Sequence, residues 1–150
     1  MSIPPPTVPA VKAYLFAALK ARPELALPVL VSYDEPGPHQ PDDIVAVCDV
    51  DDTATVMRMV GSGAAGWLDE TMTVQVVCES YRGGDEAQAV FERAAVLAAV
   101  VCDVVRLDPQ LGGIAIEAKP SRISYASQWE PDHKGRLCRA TVSVSVYASI

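Results

Sequence analysis

Apolar and polar positions along the chain follow two periods, and the change from one to the other marks out the elements. Val11, Tyr14, Leu15, Ala18 and Leu19 recur three and four residues apart, with Lys12, Lys20 and Arg22 on the other side. That spacing predicts an amphipathic helix over residues 8–22, with Thr7 as N-cap, Pro9 in the first turn and Pro23 as the stop. Residues 28–33 read as a short strand, and 34–43, with three prolines and a glycine, as a surface loop. Residues 44–50 read as a second strand whose end is marked by Asp49, Asp51 and Asp52, and 53–59 as a third, shorter one. After the flexible connection 61–66, residues 70–79 alternate cleanly, with Met72, Val74, Val76 and Cys78 on one face.

Gly83-Gly84 ends that strand, and Asp85 with Gln88 three residues on predicts a capping box. The helix behind it runs to about Arg106. Ala87, Val90, Phe91, Ala94, Leu97, Ala98, Val101 and Val105 form its core stripe, and Val96, Val100 and Val104 add a second apolar face. A helix this apolar needs cover on more than one side, and in a chain of 150 residues the additional cover is expected from another subunit. Residues 108–113 form a turn, 114–119 and 122–129 two strands, and 130–136 a hairpin loop. In the last strand Cys138, Ala140, Val142, Val144, Val146, Ala148 and Ile150 alternate with polar neighbours. Residues 1–7 read as a flexible, proline-rich tail. The order predicts a single α+β domain over 8–150, a mainly antiparallel sheet with two helices packed on it.

Composition sharpens this picture. Half the residues are apolar, enough for a real core, which excludes a disordered chain or a disulfide-dependent mini-protein. Twelve Lys and Arg against 19 Asp and Glu give a net charge of −7, which argues against a nucleic-acid binder or a partner of anionic membranes. Residues 31–80 hold ten acids against Arg58 alone, while Lys134, Arg136 and Arg139 form the one basic cluster. The acidic stretch reads either as a solvated face or as a surface that repels DNA or docks a basic neighbour. Unlike patches on identical subunits are what head-to-tail rings use. The start lacks a signal-peptide pattern, and no apolar run reaches bilayer length, so cytosolic synthesis is expected. Cys48, Cys78, Cys102 and Cys138 form no CxxC pair and read as buried free thiols.

Candidate chemistry is sparse. His39 and His133 sit in proline- and charge-rich loops without metal-ligand spacing. The glycine run lacks the Lys-Ser/Thr of a phosphate loop, and Asp49, Asp51 and Asp52 lack the glycine and glutamate of a calcium loop. No catalytic, metal or cofactor site is expected, and the chain reads as a non-enzyme. Trp67 and Trp129, at element ends, read as core-edge residues or as interface anchors.

Several segments carry a family resemblance. Trp67-Leu68-Asp69-Glu70, the alternating strand 71–79, the Gly83-Gly84-Asp85 helix start, the alanine-rich helix, and Val105-Arg106-Leu107-Asp108-Pro109-Gln110-Leu111-Gly112-Gly113 resemble tail terminator (tail-completion) proteins of long-tailed actinobacteriophages. The first helix and Val31-Ser32-Tyr33-Asp34-Glu35-Pro36 are also similar to that family. The resemblance implies a virion structural subunit, assembled in the host cytoplasm, that forms a hexameric ring at the head-proximal end of the tail. Such a ring caps the tail tube, stops its polymerisation and meets the head-side connector, and DNA passes through it without specific binding. Read this way, Trp67, Val96, Val100, Val104, Trp129, Lys134, Arg136 and Arg139 are the candidate interface. A head–tail connector, neck or minor tail protein, a small-molecule-binding α+β domain and a protein–protein adaptor are the alternatives.

Overall fold

In the computed structural model the described residues are 7–37, 41–56 and 68–149. Helix α1 (Val8–Lys20) leads through a short 3-10 turn to strand β1 (Leu30–Tyr33), followed by β2 (Asp43–Val56) and β3 (Leu68–Gly83). Helix α2 (Ala87–Leu107) and a second 3-10 turn precede β4 (Glu117–Glu130) and β5 (Gly135–Ser149). One five-stranded sheet results, in the order β1-β2-β3-β5-β4, with β1 parallel to β2 and the other pairs antiparallel. The expected α+β class and the two helices on a mainly antiparallel sheet are what the chain adopts.

The alternation in β3 and β5 sets the layers. Met72, Val74, Val76 and Cys78 stand on one face beside Ala140, Val142, Val144 and Val146, all buried. Leu15 and Leu19 of α1 and Leu97, Val101 and Val105 of α2 close over them. The opposite sheet face has no helix over it among the described residues. It shows Thr73, Gln75, Ser143 and Ser145, with a small apolar cluster of Ile44, Ala46 and Cys48 packed by Leu30 and Val77.

The turn after α2 is a structural latch. Asp108 accepts hydrogen bonds from the Tyr14 hydroxyl of α1 and from the Gly112 backbone N–H, the latter at 2.9 Å. Gly112 has φ +69°, and a Cβ there would sit 3.1 Å from the Tyr14 ring. Glycine is therefore required twice over, by conformation and by space. A second polar cluster ties the start of β2 to α2. Asp43, 8% exposed, accepts from Ser80 Oγ (2.9 Å), Arg82 Nη1 (2.9 Å) and Arg93 Nε (3.0 Å).

Four local expectations are corrected. The second and third predicted strands are one strand, β2, with a bulge between Val47 and Val50, so Asp49, Asp51 and Asp52 lie within a strand and do not end it. Residues 114–116 stay outside the sheet, and β4 runs unbroken through a bulge at Ser121. In each case pairing with a long neighbouring strand overrides the local turn signal. The capping box also fails, because the Asp85 carboxylate is held by Arg136 Nε at 2.7 Å and α2 begins at Ala87 without a side-chain cap. Finally, Val100 and Val104 lie in the core under the sheet, so most of the second apolar face of α2 is covered within the chain.

Candidate assembly surface

Most of β4 lies at the surface. Its 14 residues form one edge of the sheet, and from Ser121 to Trp129 every residue is exposed. Register with β5 places Ile123, Tyr125 and Trp129 on the helix side. Phe91, expected in the helix core stripe, lies instead over Tyr125 with ring centroids 5.0 Å apart. Phe91, Tyr125 and Trp129 are 43%, 41% and 44% exposed. Aromatic anchors rimmed by polar groups are the composition of an interface core. Arg122 and Lys119 face the open side of the same strand, and neither has an ion-pair partner among the described residues.

At the other edge, β1 pairs with β2 only through Val47, which leaves residues 48–56 without a neighbour on that side among the described residues. Asp49 and Asp51 are exposed there, on the open face, and Asp52 is exposed on the helix face.

The basic cluster is not one patch. Arg136 and Arg139 lie on opposite faces of β5, because successive strand residues alternate. Arg136 pairs with Asp85 and lies over the Trp129 ring at 5.5 Å, while Arg139 pairs with Glu79 at 2.6 Å. Lys134 sits in the hairpin turn with φ +48°. Val96 is 51% exposed, apart from the buried Val100 and Val104. Trp67 and His39 lie outside the described residues.

Asp52 forms a carboxyl pair with Glu70 that no local pattern along the chain discloses. Glu70, 1% exposed, accepts from the Thr7 N–H (3.1 Å) and hydroxyl (3.0 Å) through Oε1, while Oε2 has no partner. Thr7, at the N-cap position of α1, thus spends its hydroxyl on the sheet and makes no side-chain cap. Desolvation, then proton sharing with Glu70 and its charge, lifts Asp52 from 3.8 to about 6. A raised carboxyl binds its proton in the folded state, so stability is greatest at low pH and falls as pH rises through about 6. Asp52→Asn is expected to remove that loss, stabilising the fold at pH 8 by about 1 kcal/mol after solvent screening and leaving pH 4 nearly unchanged. Urea denaturation at the two pH values checks this, and an equal effect at both would refute the shared proton.

An open hollow of about 790 Å³ lies on the helix-free face, lined by Ile44, Glu79, Tyr81, Glu130, His133 and Arg139 among others. Its guanidinium is already paired with Glu79, and Tyr81 donates its hydroxyl to the His133 carbonyl at 2.7 Å. Burial raises the thiols of Cys48, Cys78 and Cys102, which keeps them protonated and poor nucleophiles. Among the described residues, no three His, Cys, Asp or Glu side chains converge as a metal site. No helix among them is long and apolar enough to cross a membrane.

No protein-family model and no curated protein matches the sequence. A chain in the solved virion of a native gene transfer agent (GTA) particle does match in structure, with a TM-score of 0.51 and 16% identity, over 95% of this chain and 98% of that one. This fold occurs in a virion. The likeness spans both chains nearly end to end. At that identity it shows the shared architecture, and the properties of the edges rest on the residues described above.

Proposed function

We propose that this chain is a virion structural protein, a ring-forming tail terminator. In this reading it caps the tail tube, stops its growth and presents a joint to the head-side connector, with no catalytic role and no cofactor. The observation that carries the reading is the end-to-end likeness in fold to a chain of the GTA virion. The Asp108–Gly113 turn supports it, because the segment most like the terminator family is the one that locks α1 to the sheet. An exposed aromatic edge on a small subunit supports a standing partner. The net charge of −7 suits a ring through which DNA passes without being gripped. A hexamer seated at the head-proximal tail end, contacting tube protein on one side and connector on the other, is the arrangement proposed.

Loss of the gene from the particle that encodes it is the direct test, read by negative-stain microscopy of lysates. A terminator predicts tubes of irregular, excessive length and filled heads without tails. Tubes of normal length beside heads that have leaked their DNA would favour the connector reading and overturn this one.

A further inference from the structure

We propose that two free copies of this chain pair through their β4 edges, antiparallel about a two-fold axis at Ala126, so that one sheet runs through both. The inference goes beyond the terminator reading and does not rest on it. A two-fold pair has equivalent ends, whereas a cap between tube and connector needs unlike ones. The pair therefore belongs to the free chain and must open before a cap forms.

Ladder geometry shows which backbone groups of β4 are open. The Gly84 N–H bonds the Lys134 carbonyl, which continues the β3–β5 ladder and assigns even-numbered residues of β5 to β3 and odd-numbered ones to β4. Past the bulge at Ser121, the residues opposite odd positions of β5 are Arg122, Ser124, Ala126, Gln128 and Glu130, whose N–H and C=O point into the sheet. Ile123, Tyr125, Ser127 and Trp129 turn theirs outward, where the edge has no neighbouring strand among the described residues. Centring two antiparallel copies on Ala126 sets Ile123 opposite the partner's Trp129, and Tyr125 opposite the partner's Ser127. These are the open positions, so the outward N–H and C=O groups of the stretch all find counterparts. Pro120 and the bulge end the ladder on one side, and the hairpin turn ends it on the other.

Side chains select this occupant and this register. Arg122 and Glu130 share the helix-free face, and neither has an ion pair among the described residues; Glu130 accepts a hydrogen bond from Gln128. Pairing about Ala126 brings Arg122 of each copy opposite the partner's Glu130, one charge pair at either end. On the helix side the exposed Ile123 meets the partner's exposed Trp129, an aromatic and β-branched pair, next to Tyr125 and Phe91. Other arrangements lose the match. Parallel pairing of the two β4 strands sets Arg122 beside Arg122, and β4 laid antiparallel along residues 48–56 of β2 brings Glu130 beside Asp49. Like charges across strands are destabilising. The symmetric pair also leaves no open β4 edge to recruit further chains.

Charge reversal and cross-linking of the full-length chain test the pair. Wild type at micromolar concentration is expected to be a dimer by light scattering coupled to size exclusion. Arg122→Glu and Glu130→Arg should each weaken it roughly tenfold, because each sets like charges at both ends, while circular dichroism stays unchanged. Mixing the two variants should restore the dimer, as should both changes in one chain. Ala126→Cys places two thiols on the axis, with Cα atoms about 4.5 Å apart and within disulfide reach, so mild oxidation should give a covalent dimer. Ser124→Cys should not, because its copies lie more than about 12 Å apart in this register. A monomeric wild type, rings without a dimer, a dimer insensitive to both reversals, no rescue on mixing, or equal cross-linking at 124 and 126 would each overturn the pair. None of these outcomes touches the gene-loss test of the terminator reading.

Discussion

Asp43→Ala is expected to lower the unfolding free energy by about 3 kcal/mol, among the largest losses any single polar change in this chain should cause. The carboxylate is almost fully buried and receives Ser80, Arg82 and Arg93, which joins the start of β2 to β3 and α2. Removing it leaves two partly buried guanidiniums facing each other and an inaccessible Ser80 hydroxyl without its acceptor. Hydrogen bonds to charged groups are worth ~1.5–3 kcal/mol each, and breaking a buried pair from one side costs ~3–5 kcal/mol; the partial exposure of both arginines trims the total. Burial alone would raise the Asp43 carboxyl, but the bonds from Arg82, Arg93 and Ser80 outweigh it and hold the group below its ordinary value of 3.8. The stabilisation is therefore present above that value and lost as pH falls through the lowered one. Guanidinium denaturation at pH 7 measures the effect. A loss below about 1 kcal/mol would show that the two strands and the helix are not coupled through this carboxylate.

That cluster was invisible in the sequence, and the reason is physical. Asp43 lies 37 to 50 residues before Ser80, Arg82 and Arg93, and no local period relates it to them. What the sequence did disclose follows strand and helix periods. The two-residue alternation of β5 and β3 predicted their buried faces residue by residue, and Val11, Leu15 and Leu19 predicted the inner stripe of α1. Aspartates at 49, 51 and 52 looked like a strand end because carboxylates disfavour strands. Pairing with β3 over Val50–Val56 carries β2 through them. The exposed edge was half legible. Ile123, Tyr125 and Trp129 were in phase, but their exposure depends on β4 being outermost, a property of topology.

The same distinction bears on function. An acidic region and a basic cluster suggested unlike patches, yet Arg136 and Arg139 are neutralised within the subunit by Asp85 and Glu79. Lys119 and Arg122 on one sheet edge, and Asp49 and Asp51 on the other, have no ion pair among the described residues. Arg122, Asp49 and Asp51 lie where the strand edge is also without a neighbour among the described residues. A surface that joins open hydrogen-bonding groups to unmatched charge is a stronger pointer to a partner than either feature alone, because both costs are relieved by one contact.

Val104→Asp and Val96→Asp separate the two readings of α2, and the first should have an effect as large as that of Asp43→Ala. Val104 is 7% exposed and packs in the core between α2 and the sheet, whereas Val96 is half exposed on the same helix. A carboxylate at position 104 would lose its hydration with no cation beside it, for a cost of about 3–5 kcal/mol and a chain that is largely unfolded or strongly destabilised at pH 7. At position 96 the carboxylate stays in water, and the change should fall within about 0.5 kcal/mol. Thermal unfolding of the chain at low concentration distinguishes them. Had the second apolar face of α2 been reserved for a neighbour, both variants would fold normally and fail only in assembly. Unfolding of Val104→Asp alone locates that face inside the subunit and leaves the β4 edge, where Tyr125 and Trp129 stand exposed, as the larger apolar surface open to solvent.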